Sequence, residues 1–134
     1  LNWRYVDCPF PYIKRTFEVG GRLVGCSVVR VLERGGATEG HICDLILETA
    51  PANLFEIAAW YAIQDCRAAG AALVGFRMQS PDGYLDRFAK LGARRYQGKM
   101  ILIVYDRNLP PGGLGVDHTD LNNWLVSMGD SDAI

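Results

Sequence analysis

The arrangement of apolar and polar residues predicts a buried strand, a tight turn and a long helix within residues 43–70. The strand covers residues 43–47, an apolar run interrupted only by Asp44. Such a run is typical of a central strand that is covered on both faces. The helix is predicted over residues 53–69, where two apolar stripes at helical spacing indicate that it lies against the sheet.

Two further strand patterns precede this region. Gly20 and Gly21 separate residues 16–19 from residues 22–33, and a glycine pair between two strand patterns predicts a two-residue hairpin because both positions can adopt a positive φ. A second turn over residues 34–40 leads into the strand that ends at Leu47. Three consecutive antiparallel strands are therefore predicted.

The pattern after the long helix predicts another strand and another helix. Gly70 is expected to end the long helix in a left-handed conformation, and the apolar residues 72–78 then form a strand parallel to a neighbour through a right-handed crossover. Ser80, Pro81 and Asp82 are typical of a helix start, and Gly92 ends that helix. The remaining chain is assigned to a strand over residues 94–106, a Pro/Gly loop over 107–117 and a C-terminal helix over 118–128.

This order, β-β-β-α-β-α-β-α, predicts a single α/β (α+β) domain over residues 1–134. Its central sheet is expected to be mixed but largely antiparallel, with helices packed on its faces. A chain of 134 residues is long enough for one such core. Residues 1–16 form an aromatic N-terminal arm that we expect to pack on the domain or on a partner.

The composition of the chain limits the kinds of partner that we expect the protein to bind. The net charge of −1 gives no electrostatic reason to bind nucleic acid or an anionic membrane, and no apolar run approaches the roughly 20 residues that span a bilayer. The four cysteines include no Cys-x-x-Cys pair and the two histidines are isolated, so no metal site is predicted. Reduced thiols and a cytoplasmic location are expected.

Two carboxylates are candidates for chemistry. Asp44 interrupts a buried strand, where alternation places it on a face with Ile42 and Ile46; it therefore pairs with an arginine such as Arg30 or Arg77, or it lines a cleft as a base or substrate ligand. Glu48 stands at the carboxyl end of the strand, where open α/β sheets bind ligands. A solvated role for Glu48 is the alternative.

The order of elements, together with three sequence segments, resembles the core and C-terminal half of the GNAT (N-acetyltransferase-like) superfamily. The segments are RLVGCSVVRV, HICDLIL leading directly into a helix, and FAKLGARR before an apolar strand. The resemblance covers residues 17–106 as a fold. The opening LNWRY and the closing Trp124 with GDSD resemble a branch associated with polysaccharide biosynthesis.

The resemblance implies an acyl donor, acetyl-CoA or another acyl-CoA, and a small-molecule amine acceptor. The pantetheine would pair with the backbone of Ile46, Leu47 and Glu48. The pyrophosphate would lie at Ala52 and Asn53, because the N–H groups and dipole of a helix start favour anions.

The sequence departs from the family pattern at two places. The turn over residues 48–54 contains neither glycine nor a basic residue, and Pro51 removes one backbone N–H. Phe88 stands where the family often has the tyrosine that protonates the departing thiolate. Tyr84, one turn earlier on the same face, is the candidate to replace it.

Two classes of function follow. The first is an acyl-CoA-dependent N-acyltransferase, or the C-terminal half of one, in which Asp44 or Glu48 orients or deprotonates the acceptor. The second is a non-catalytic GNAT-like module that binds a small ligand or self-associates. Full GNAT folds have an additional strand and two helices before the meander, which residues 1–16 are too short to supply. We therefore expect a homodimer or a partner half-domain to complete the sheet.

Overall fold

The computed structural model describes residues 5–49, 51–79, 83–94 and 126–127. The chain forms two compact units, one of residues 1–77 with 127–134 and one of residues 78–126. Each unit is described by itself below. Among the helices in the described part of the chain, none combines the length and apolarity needed to span a membrane.

The first unit contains four strands and one helix. In chain order they are β1 (Tyr12–Val19), β2 (Arg22–Arg34), β3 (Ala37–Leu47), α1 (Leu54–Ala68) and β4 (Leu73–Phe76). The strands form one sheet in the order β1-β2-β3-β4, in which the first three are antiparallel neighbours and β4 is parallel to β3. The helix α1 connects β3 to β4, as the apolar pattern predicts. The mixed, largely antiparallel sheet is confirmed.

Glycine pairs form both hairpins of this sheet. Gly20 and Gly21 have φ of 59° and 79°, and Gly35 and Gly36 have φ of 58° and 82°. Two successive positive φ values suit the right-handed twist of the flanking strands, and glycine adopts them without steric cost. The hairpin predicted at Gly20 and Gly21 is confirmed.

The helix α1 packs on β2 and β3. Its end is fixed by Gly70, which has a φ of 90°. The Gly70 N–H donates to the Arg67 carbonyl at 2.9 Å and the Ala71 N–H donates to the Cys66 carbonyl at 3.0 Å, the pair of bonds that satisfies a helix end. The left-handed conformation predicted for Gly70 is confirmed. The buried residues of α1 are Leu54, Phe55, Ala58, Ala59, Ala62 and Cys66.

A second glycine lets α1 approach the sheet closely. A Cβ atom placed on Gly40 would lie 2.6 Å from the Cβ of Cys66 and 3.1 Å from the Cβ of Ala71. Only a residue without a side chain fits this contact between β3 and the end of α1. The contact also identifies the face of the sheet that α1 covers, which is the face on which Gly40 lies.

The second unit is described in part. It contains the two-residue strand β5 (Met78–Gln79), which pairs with the strand β6 (Val126–Ser127), and the boundary between the units falls within β6. Helix α2 (Tyr84–Lys90) lies beside β5 and follows Gly83, which has a φ of 66°. The predicted helix start at residues 80–82, almost all of the predicted strand over 94–106 and the loop over 107–117 lie outside the described residues. So does the predicted helix over 118–128, except for Val126 and Ser127.

Candidate functional site

The sheet opens between β3 and β4. The parallel pairing of these strands runs only from Glu39 with Leu73 to Ile42 with Phe76. Strand β3 then continues to Leu47, and within the described residues no strand pairs with that edge of its second half. The carboxyl half of β3 therefore presents an open backbone edge.

The hydrogen-bond pattern identifies which residues point to this open edge. The Glu48 N–H donates to the Val24 carbonyl at 2.9 Å, so Glu48 bonds toward β2. In an antiparallel ladder, successive residues bond to opposite sides. Leu45 and Leu47 therefore direct their N–H and C=O groups away from β2, toward the open edge.

A register shift separates the two halves of β3. Val28 is opposite Asp44, whereas its neighbour Val29 is opposite Ile42, so Cys43 is an additional residue on β3. Paired residues share a face of the sheet, and successive residues of β2 face opposite ways. Asp44 and Ile42 thus lie on opposite faces, so the predicted face shared with Ile42 is wrong, whereas Ile46, which is opposite Cys26, does share the face of Asp44. A bulge of this kind bends the strand and increases its twist, at the point where β4 leaves β3.

The Asp44 carboxylate is buried on the face opposite α1, where it accepts a hydrogen bond from the Tyr5 hydroxyl. Only 7% of Asp44 is exposed. A carboxylate so buried needs a hydrogen-bonding partner, because leaving it unpaired costs several kcal/mol in order of magnitude. One partner of Asp44 is thus a tyrosine from the N-terminal arm, and the arginine partner or cleft that the sequence suggests stays a prediction.

The arm is held on the sheet by several contacts. The Tyr5 ring meets the Tyr12 ring edge-on, with centroids 5.0 Å apart. The Lys14 Nζ donates to the Tyr5 carbonyl at 2.9 Å. Farther along the arm, the guanidinium carbon of Arg30 lies 4.1 Å from the centroid of Phe10, within the range of a cation–π contact. The arm residues Tyr5 and Phe10 thus pack on the domain, one of the two alternatives that the aromatic residues suggested. The predicted bound of the arm at residue 16 is wrong, because residues 12–16 belong to β1.

Glu48 lies at the entrance to the open edge and is paired with Arg22. Their side chains make contacts of 2.9 and 3.0 Å. Both are largely exposed, with 43% of the Glu48 side chain and 68% of the Arg22 side chain accessible, so the pair contributes little stability. It does bring a basic group to a turn whose own sequence has none, and it offsets the charge of Glu48.

The start of α1 follows this turn. The Leu54 N–H donates to the Pro51 carbonyl at 2.9 Å. Asn53 occupies the capping position without a side-chain cap bond, and Glu56 places an acidic residue in the first turn. Ala52 and Asn53 are both exposed, so a ligand can approach the positive end of the helix dipole there.

The candidate catalytic residues are not all brought together. Asp44 lies on β3 and Glu48 directly follows its last residue, so they are four residues apart, or about 13 Å at about 3.3 Å per residue. They therefore cannot act on the same atom. Tyr84 belongs to the second unit, where it and Phe88 are buried, so its role as a proton donor stays a prediction.

Three thiols, those of Cys26, Cys43 and Cys66, are unsuited to nucleophilic attack. Burial raises the pKa of Cys43 to about 12 and that of Cys66 to about 11, and burial also raises the pKa of Cys26. Each of these thiols therefore stays protonated at neutral pH, and the thiolate is the reactive form. Among the described residues, no group of three or more His, Cys, Asp or Glu side chains could hold a metal ion.

Sequence reasoning missed Tyr5 and Arg22. Each donates a hydrogen bond to a candidate residue that is far away in the sequence. Tyr5 is 39 residues from Asp44, and Arg22 is 26 residues from Glu48. The aromatic arm was a signal that Tyr5 is packed. No local pattern identified either partner.

Comparison with known proteins shows the fold. No protein-family model and no curated protein matches the chain. Among solved structures, a Trypanosoma brucei acetyltransferase is 25% identical, with 69% of each chain covered and a TM-score of 0.57. Glucosamine-6-phosphate N-acetyltransferase from Arabidopsis thaliana is 15% identical, covering 69% of this chain and 66% of its own, with a TM-score of 0.59.

An aminoglycoside acetyltransferase from an uncultured soil metagenomic sample is 16% identical, with 76% of this chain and 71% of its own covered and a TM-score of 0.60. The chain thus has a GNAT-like α+β fold, a mixed four-stranded sheet with helices packed on it. These likenesses do not support the predicted polysaccharide-biosynthesis branch.

Proposed function

We propose that this chain binds an acyl-CoA along the open edge of β3 and acts as an N-acyltransferase, or as the C-terminal half of one. The observation that carries the proposal is the departure of β4 from β3 after Ile42. It leaves the outward backbone groups of Leu45 and Leu47 available to the amide groups of an extended pantetheine, in the way that an added strand binds to a sheet edge.

The start of α1 supports the same ligand. A pantetheine that follows β3 past Leu47 arrives at Ala52 and Asn53, where the helix dipole favours the pyrophosphate. Because the Glu48 N–H is engaged by Val24, we assign the donor contacts on β3 to Leu45 and Leu47, with Ile46 between them facing the other ladder. The helix start supplies the remaining contacts.

The acceptor is proposed to be a small-molecule amine. In the reaction, the amine nitrogen attacks the thioester carbonyl, a C–N bond forms, the C–S bond breaks and the CoA thiolate leaves. The nitrogen gives up a proton, for which Asp44 is the proposed acceptor, with Tyr5 holding the carboxylate in place. The thiolate takes up a proton from water as it leaves.

Calorimetric titration of CoA and acetyl-CoA into the purified chain tests donor binding. We expect micromolar binding that Ala52→Asp abolishes, because the new carboxylate would repel the pyrophosphate. Ala37→Asp is the matched control, since it makes the same exposed replacement at the opposite end of β3. Absence of binding at millimolar CoA, or equal effects of the two substitutions, would contradict the proposal.

A non-catalytic ligand-binding module is the second candidate. Both candidate carboxylates already have a partner, because Asp44 accepts a hydrogen bond from Tyr5 and Glu48 forms an ion pair with Arg22. These contacts favour a module without catalytic activity. Thiol release from acetyl-CoA, measured with glucosamine 6-phosphate and an aminoglycoside as acceptors, separates the two. These are substrate classes named for two of the structural relatives. CoA binding without acceptor-dependent thiol release would favour the module.

A further inference from the structure

Arg22 and Glu48 form a bidentate ion pair beside the open edge of β3. The Arg22 Nη1 donates to the Glu48 Oε1 at 3.0 Å, and the Arg22 Nη2 lies 2.9 Å from the Glu48 Oε2. Two nitrogens of the guanidinium thus face the two oxygens of the carboxylate. Arginine uses this same fork geometry to bind carboxylate groups and phosphate groups.

The ends of two neighbouring strands bring this pair together. Arg22 is the first residue of β2, directly after the hairpin glycines Gly20 and Gly21, and Glu48 directly follows the last residue of β3. The hydrogen bond from the Glu48 N–H to the Val24 carbonyl holds this end of β3 beside the start of β2. The Arg22 guanidinium therefore lies where the turn from the open edge to α1 begins.

The ion pair is open to exchange with another anion. The Arg22 side chain is 68% exposed and the Glu48 side chain is 43% exposed. Exposed pairs of this kind contribute little stability, because water solvates both partners. A phosphate group presents oxygens that fit the same guanidinium fork, so it can take the place of the Glu48 carboxylate at little cost.

We propose that Arg22 binds the pyrophosphate of the acyl donor, and that Glu48 competes with the pyrophosphate for the same guanidinium. This inference rests on the proposed function, because it takes the donor to follow β3 and to pass the turn over residues 48–54. That turn contains no basic residue of its own, and Arg22 supplies the positive charge from β2. Glu48 holds the guanidinium in place until the pyrophosphate displaces it.

The two members of the pair should have opposite effects on the affinity for CoA. Arg22→Gln should weaken CoA binding about tenfold or more, because it removes charge-assisted hydrogen bonds to a phosphate. Arg22→Lys should restore only part of the loss, since an ammonium group keeps the charge without the fork. Glu48→Gln should strengthen CoA binding by up to about fivefold, because the guanidinium then leaves no charged partner. If the pair served only to stabilise the turn, both Arg22→Gln and Glu48→Gln would weaken binding.

The opposite end of β2 offers matched controls. Glu33 and Arg34 are exposed and precede the second glycine hairpin, as Arg22 follows the first. Arg34 is twelve residues from Arg22 along the strand, or about 40 Å at about 3.3 Å per residue. Charges so far apart are screened, since the Debye length is about 10 Å at about 0.1 M salt. Arg34→Gln and Glu33→Gln should therefore leave the affinity for CoA unchanged.

Calorimetric titration of the purified chain with CoA and with dephospho-CoA tests the assignment. Dephospho-CoA keeps the pyrophosphate and lacks only the 3′-phosphate, so Arg22→Gln should weaken the binding of both ligands by the same factor. An effect confined to CoA would overturn the proposal, because it would assign Arg22 to the 3′-phosphate. Weaker CoA binding by Glu48→Gln than by the wild type would also overturn it.

The salt dependence of CoA binding provides an independent measurement. The affinity of the wild type should fall more steeply with salt than the affinity of Arg22→Gln, because the variant has lost one charge contact with the ligand. Equal slopes would contradict the proposal. A wild-type chain that does not bind CoA at millimolar concentration would overturn the proposed function together with this inference. CoA binding that Arg22→Gln leaves unchanged would overturn this inference alone.

Discussion

The contact between Gly40 and Cys66 predicts a large effect from the smallest possible substitution, Gly40→Ala. The new Cβ would lie 2.6 Å from the Cβ of Cys66, 2.8 Å from its Sγ and 3.1 Å from the Cβ of Ala71. Cys66 is fully buried, so the end of α1 must move away from β3. Overpacking of this kind costs about 1–3 kcal/mol, against which the lower unfolded-state entropy of alanine offsets about 0.5–1 kcal/mol.

We therefore expect Gly40→Ala to lower the free energy of unfolding by about 1–2 kcal/mol, measured by urea denaturation followed by circular dichroism. At about 4 °C per kcal/mol, the thermal midpoint should fall by about 4–8 °C. Gly75→Ala is the matched control on the neighbouring strand, because among the described residues its Cβ would meet only the His41 Nδ1, at 4.0 Å. If Gly40→Ala is as stable as the wild type, or if Gly75→Ala is equally harmful, the close packing of α1 on β3 is refuted.

Three other predictions follow from side chains that the structure pairs or buries. Arg15 donates two hydrogen bonds to Asp65, at 2.6 and 2.9 Å; Asp65→Asn should lower stability by up to about 1 kcal/mol, and equal losses at low and high salt would contradict an ionic origin. Cys43 and Cys66 should resist iodoacetamide until the chain unfolds, as mass spectrometry of labelled peptides would show; rapid labelling of the native chain would contradict their burial. Burial lowers the pKa of His41 below 6.5, so the unfolded chain binds the proton first and stability should fall as the pH drops below about 6.5. His41→Gln should flatten that fall in urea titrations, and an unchanged profile would contradict it.

Local patterns in the sequence predicted the first hairpin, the long helix and its end in the first unit, although they began the first strand at residue 16 instead of Tyr12. Glycine pairs specify hairpins because few other residues adopt two positive φ values, and Gly70 specifies a helix end for the same reason. The apolar stripes of α1 predicted its packing on the sheet, because only one side of a helix can be buried there. Each of these inferences depends on neighbouring residues alone.

The surroundings of the candidate site residues depend on strand pairing and on contacts between residues that are distant in sequence, and local patterns do not reveal either. Strict alternation placed Asp44 on a face with Ile42, but the additional residue Cys43 moves Asp44 to the other face. One partner of Asp44, Tyr5, comes from the N-terminal arm, and nothing near Asp44 in the sequence indicates it. The sequence thus predicts that β3 is a buried strand. Its bend and the surroundings of the Asp44 carboxylate follow only from how β3 pairs with its neighbours in the structure.

The central claim is that the outward backbone of Leu45 and Leu47 binds the acyl donor. Amide hydrogen exchange by NMR, with and without CoA, tests this residue by residue. We expect CoA to slow exchange at the Leu45 and Leu47 amides and to leave Glu48 nearly unchanged, because the Glu48 N–H is already donated to Val24. Binding of CoA that leaves the Leu45 and Leu47 amides unprotected would contradict the claim.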